Sequence, residues 1–120
     1  MTLTEAEGYA ELGLWQDAWE AIEELPGDLR AGVDSMRLRL RCCSKVGAWD
    51  IGAELACLLG EGKPPDRRAA AAFWMALGRE CIEDSETAQA CIDAAINAWP
   101  NCRSEILDDP ELSRIVFAEN

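Results

Sequence analysis

The sequence predicts an all-α fold: an α-solenoid of three antiparallel helical hairpins followed by a C-terminal capping helix. Three observations carry this expectation. The stretch Leu12-Gly13-Leu14-Trp15-Gln16-Asp17-Ala18-Trp19 returns as Val46-Gly47-Ala48-Trp49-Asp50-Ile51-Gly52, with Gly13 to Gly47 and Trp15 to Trp49 each 34 residues apart. Apolar residues recur at intervals of three and four, the spacing of one helix face. Glycine, proline and aspartate punctuate the chain where each apolar stripe ends.

The elements follow in order. Thr4-Glu5-Ala6-Glu7 has the Thr-x-x-Glu form in which hydroxyl and carboxylate satisfy each other's free backbone donors, so a first helix should begin at Thr4 and end near Leu12. Ala18, Ile22 and Leu25, with Trp19 beside them, mark a second helix stopped by Pro26-Gly27. Asp28 should cap a third helix through Leu29, Val33, Met36, Leu40 and Cys43, broken at Gly47. Its partner carries Ile51, Leu55, Leu58 and Leu59 and ends in Gly60-Glu61-Gly62-Lys63-Pro64-Pro65. Asp66 is the expected N-cap of a fifth helix, which the alanine run 69–72 favours, and Glu83-Asp84-Ser85 makes the next turn. Ala88, Cys91, Ile92, Ala95 and Ile96 form the sixth stripe, closed by Trp99-Pro100-Asn101. Beyond it, Asp109-Pro110-Glu111 should start a terminal helix bearing Leu112, Ile115, Val116 and Phe117. A cap of this kind covers the exposed end of a stacked array. A single domain, 1–120, is thus expected, with repeats at about 4–27, 28–63 and 66–100 and a cap at 101–120.

Composition excludes several function classes. A net charge of −12 argues against nucleic acid or an anionic membrane as the main partner, since both need a dominant basic surface. There is no 18-residue apolar run, and Met1-Thr2-Leu3-Thr4-Glu5 lacks the basic and apolar regions of a signal peptide, so the expected location is cytoplasmic. Six cysteines, Cys42, Cys43, Cys57, Cys81, Cys91 and Cys102, mostly fall at apolar helical positions and read as small buried thiols. The chain has no histidine and no Cys-x-x-Cys pair, and Gly60-x-Gly62-Lys63 lacks the strand and spacing of a phosphate loop. No enzyme activity, cofactor or metal is expected.

Trp74-x-x-Leu77-Gly78-x-x-Cys81 resembles the Trp-x-x-Leu-Gly-x-x-Tyr pattern of the tetratricopeptide repeat family, whose period is also 34 residues, with cysteine in place of tyrosine. Tyr9-x-x-x-Gly13 with Ala18, and Cys43-x-x-x-Gly47 with Pro64, are similar to later parts of the same pattern, though Gly52 stands where alanine is usual. The resemblance covers residues 4–100 and implies a protein-interaction scaffold that holds a peptide or helix in a concave groove.

Arg37, Arg41 and Lys45 recur every four residues and so form one stripe on the third helix of an acidic chain. The resemblance puts this stripe in the groove, with Asp34 and Ser44 on the same face, Met75 and Arg79 beside it in the third repeat, and Glu7 and Glu11 beside it in the first. Partner-binding residues are therefore expected at Arg37, Arg41, Ser44, Lys45, Met75 and Arg79, facing a protein or peptide, with an acidic segment or a C-terminal carboxylate of the partner as the group that arginine forks would grip. The positions that would carry Lys and Asn in the family's carboxylate clamp hold Leu3 and Glu7. Against this stands a solvated ion-pair face, with Arg37 and Arg41 paired to Glu7, Glu11 and Asp34. Two other functions compete: a chaperone similar to the small tetratricopeptide chaperones of bacterial secretion systems, which shield an aggregation-prone helix, and a homo-oligomer joined through Trp99, Ile115 or Phe117. The five tryptophans, Trp15, Trp19, Trp49, Trp74 and Trp99, are expected mainly in packing.

Overall fold

Between Gly13 and Val46 the chain must turn three times, and each turn is written in local chemistry. The computed structural model describes the backbone of residues 2–118 and the side chains of residues 2–116. All regular structure among these residues is helical. The nine α-helices are α1 (Leu3–Glu11), α2 (Trp15–Glu23), α3 (Gly27–Arg30), α4 (Val33–Val46), α5 (Trp49–Leu59), α6 (Pro64–Glu80), α7 (Ser85–Ala98), α8 (Arg103–Asp108) and α9 (Leu112–Ala118), with a 3-10 turn at Pro100–Cys102 before α8. The chain divides into two compact units, Met1–Leu55 and Ala56–Asn120, with the boundary inside α5.

In the first unit α1 begins one residue earlier than expected, because Thr2 rather than Thr4 caps it: the Glu5 N–H donates to Thr2 Oγ1 at 3.2 Å. Thr2-Leu3-Thr4-Glu5 is an overlapping Thr-x-x-Glu, and the structure uses that copy. Gly13, at φ +78°, turns the chain into α2. Helices α1 and α2 pack against each other and both meet α4. Their shared core is Ala6, Ala10, Ala18, Ala21, Ile22, Leu25, Leu38 and Cys42, with Leu3, Trp15 and Trp19 packed on its margin. Four alanines there keep the crossings close, and Ile22, which is 0% exposed, fills the centre.

The expected third helix is two. Asp28 does not cap it; it lies inside the short helix α3, and Gly32 is the extended N-cap of α4 at φ −70°, ψ 155°. Ser35 holds the break: its hydroxyl donates to the Leu29 carbonyl at 2.6 Å, which also accepts from the Gly32 N–H at 3.1 Å, while Ser35 itself is 1% exposed. Gly47 at φ +81° then ends α4, its N–H and that of Ala48 both donating to the Cys43 carbonyl at 3.0 Å. Leu55 on α5 lines the same cavity as Met36 and Arg39 on α4, so the chain doubles back at this turn.

In the second unit Asp66 is not the cap of α6. The helix starts at Pro64, with Lys63 as the extended N-cap. Both prolines fit in its first turn, where the missing N–H would have no intrahelical acceptor and the fixed φ is already helical. The third repeat therefore begins two residues before the expected boundary. Asp84 caps α7, accepting from the Thr87 N–H at 3.3 Å and its hydroxyl at 2.7 Å, and the Thr87 hydroxyl bond is the main reason its carboxyl sits below the usual range. Helices α6 and α7 form the most extensive pair, and α9 packs on both. Gly78 gives these helices a close approach: a Cβ there would meet Leu112 Cδ2 at 3.2 Å and Cys91 Cβ at 3.4 Å.

The C-terminal cap is two helices rather than one, because Asp109 stops α8 and starts α9. Its Oδ1 accepts from the Glu111 and Leu112 N–H groups, each at 2.9 Å. Leu112 and Ile115 are buried, as the terminal stripe requires; Phe117, expected on the same face, has its side chain outside the described residues. No helix among the described residues is long and apolar enough to cross a membrane.

Candidate functional site

Helix α4 carries Arg37, Arg39, Arg41 and Lys45 against the single carboxylate of Asp34. What Arg39, Arg41 and Lys45 meet is decided by α2, which lies antiparallel beside α4 and presents Trp15 and Trp19 one helical turn apart. The Arg41 guanidinium lies 5.3 Å from the centre of the Trp15 ring, and the Lys45 ammonium 5.8 Å from the same ring. Arg39 lies 4.8 Å from Trp19 and pairs with Glu23 at 3.0 Å. Each ring presents negative charge on its face, so a cation held there gains about 0.5–1 kcal/mol at an exposed site while keeping N–H groups for solvent or a ligand.

The expected stripe thus separates into two environments. Arg37 is paired with Asp34 one turn before it, which bears out that part of the ion-pair alternative. Arg41 and Lys45 are exposed and stand on Trp15, and among the described residues neither is paired with a carboxylate. Ser44 turns back on its own helix, donating to the Arg41 carbonyl at 2.8 Å.

Met75 and Arg79 come together in the second unit. They line a cavity of about 570 Å³ with Ala72, Glu105, Asp108, Asp109 and Pro110. Met75 is buried, and Arg79 Nε donates to Asp109 Oδ2 at 2.8 Å. Arg79 is therefore committed to the cap of α9, and the mouth of this cavity is acidic. Partial burial pushes the Asp109 carboxyl upward, but the Leu112 N–H, Arg79 and the Glu111 N–H outweigh it and hold it below the usual range.

All five tryptophans are half-buried. Trp99 also carries a cation, with Arg67 5.2 Å from its ring, and Trp74 meets Phe73 edge to face at 5.4 Å and 71°. Arg39 and Arg67 were not expected as features, since neither belongs to the four-residue stripe. For Arg39 the available signal was the Trp15/Trp19 pair itself, which offers two ring faces to whichever helix packs on α2.

The cysteines fall as small core residues for the most part. Cys42, Cys43, Cys91 and Cys102 are buried, Cys81 is half-buried and Cys57 is exposed. Burial, reinforced by the neighbouring Cys42, pushes the Cys43 thiol up to about 11. Such a thiol is a poor nucleophile at neutral pH.

Comparison with family models, with curated proteins and with solved structures returned no match.

Proposed function

We propose that this chain is a tetratricopeptide-like repeat module that binds an acidic segment of a protein partner on the Arg41/Lys45 face of α4. The observation that carries the reading is the pair of cations held over one tryptophan in a protein whose net charge is −12. Trp15 restricts both side chains before a ligand arrives, so less ordering is lost when carboxylates dock. The repeated Gly-x-Trp turn and the α1/α2 and α6/α7 helix pairs support the repeat architecture. The role is display and capture, with no catalytic step, in the cytoplasm.

The test is fluorescence anisotropy with labelled acidic, neutral and apolar helical peptides, using the wild type and an Arg41→Glu/Lys45→Glu variant whose folding is checked by circular dichroism. Acidic peptides should bind the wild type, and the variant should lose at least about tenfold, corresponding to ~1.4 kcal/mol. Equal binding by the folded variant would remove the site. Preference for apolar helices would favour the chaperone reading instead.

A further inference from the structure

A second cavity, of about 380 Å³, lies within the first unit among the end of α2, α3, α4 and Leu55 of α5. Its lining includes Arg30, Arg39, Glu23, Met36, Ala31 and Leu55. The volume falls at the lower end of small-ligand sites, roughly 300–1,000 Å³.

From the geometry we infer that this cavity binds a carboxylate attached to a short apolar chain. Two guanidiniums line it, and both are anchored to Glu23. Arg30 Nη1 donates to the Glu23 carbonyl at 3.1 Å, using one of the last acceptors of α2. Arg39 is held between the Glu23 carboxylate at 3.0 Å and the Trp19 ring at 4.8 Å. A guanidinium has five N–H donors, and these anchors leave most of them for a ligand. Glu23 balances one of the two positive charges, so the group of three keeps one net positive charge for an anion. Met36 and Leu55 supply apolar lining, and Met is a side chain that adapts to irregular ligands. A phosphate, with no apolar part, would leave that lining unused. A neutral apolar ligand would leave the guanidiniums without a counter-charge.

Two sources share this chemistry: a free small carboxylic acid and the C-terminal residue of a protein. The site is separate from the Arg41/Lys45 face, so its failure and the failure of the proposed function are distinguishable. The probes are N-acetyl-leucine, N-acetyl-leucinamide, acetate, and a pair of pentapeptides ending in leucine or leucinamide. Binding is followed by NMR, through the Met36 methyl and the Trp19 indole N–H. N-acetyl-leucine or the free-carboxylate peptide should shift both signals saturably, while the amides should bind at least about fivefold more weakly. Tighter binding of the peptide identifies a protein terminus as the source, and equal binding identifies a free acid.

Arg30→Gln, at an exposed side chain, should weaken binding at least about fivefold without unfolding the chain, and Arg41→Glu/Lys45→Glu should leave it unchanged. If acid and amide bind equally, or neither shifts Met36 at millimolar concentration, the assignment is overturned. A folded Arg30→Gln variant that binds like the wild type overturns it as well.

Discussion

Replacing Asp109 with alanine removes a cap and an ion pair together. One carboxylate accepts from two backbone N–H groups at the start of α9, each at 2.9 Å, and from Arg79 on α6 at 2.8 Å. Loss of an N-cap costs about 1 kcal/mol. The Arg79 contact adds about 0.5 kcal/mol, because the Arg79 side chain is 40% exposed and solvent screens it. Asp109→Ala should therefore destabilise by roughly 1.5 kcal/mol and Asp109→Asn by roughly 0.5 kcal/mol, since asparagine caps as well as aspartate but gives Arg79 no charge.

Urea unfolding followed by circular dichroism measures both. The pH dependence adds a second constraint. The folded carboxyl lies below its usual value, so its stabilisation is complete above about pH 4, the unfolded aspartate range, and disappears as pH falls through the folded value. The gap between wild type and Asp109→Ala should accordingly narrow in acid. A cost for alanine below about 0.5 kcal/mol, or a gap that widens on acidification, would mean that the Asp109 carboxylate does not stabilise the fold.

Gly47 at φ +81° has only Trp49 Nε1, at 3.8 Å, near a would-be Cβ, so Gly47→Ala should cost about 1 kcal/mol through backbone conformation alone and Gly47→Asn less, as thermal unfolding would show. Ile22→Ala opens a cavity in the core of the first unit and should cost about 2–5 kcal/mol, against about 0.5–1.5 for Ile22→Val; denaturant midpoints separate the two. With a thiol-reactive chromophore at pH 8, Cys57 should be modified first, and Cys42, Cys43, Cys91 and Cys102 only as the chain unfolds. Labelling of Cys43 as fast as Cys57 would contradict its burial and its thiol near 11.

Helix positions were legible because apolar spacing and punctuation are local. Ala18 and Ile22 on α2, the turns at Gly13 and Gly47, and the Asp109-Pro110 start are found where the sequence places them, while Leu25 is buried but lies past the end of α2. The misses are competitions between neighbouring signals of similar strength. Thr2 and Thr4 both head a Thr-x-x-Glu, and the proline pair before Asp66 can end one element or begin the next. Gly32 became a break in the third helix because Ser35 reaches back to Leu29, a contact that needs the folded turn. The stripe on α4 was visible from its spacing of four. Which of its cations stand over a ring depends on the register of α2 against α4, and helix-to-helix register has no local signature.

The charge distribution makes the salt dependence of acidic-segment binding diagnostic. Helix α4 has four cations against Asp34, a net +3 within a chain of −12, so the remaining residues sum to −15. An acidic segment is repelled by the chain at long range and attracted by Arg41 and Lys45 at contact. The screening length is about 30 Å at 0.01 M salt and about 10 Å at 0.1 M, so moderate salt removes the distant repulsion before it weakens the contact. Affinity should rise from low salt, pass through a maximum near physiological ionic strength and fall toward 1 M, where the screening length is about 3 Å. A basic patch on a neutral protein would show only the fall. Anisotropy titrations across that range separate the cases, and a steady decline from the lowest salt would show that the remaining acidic surface does not oppose approach to α4.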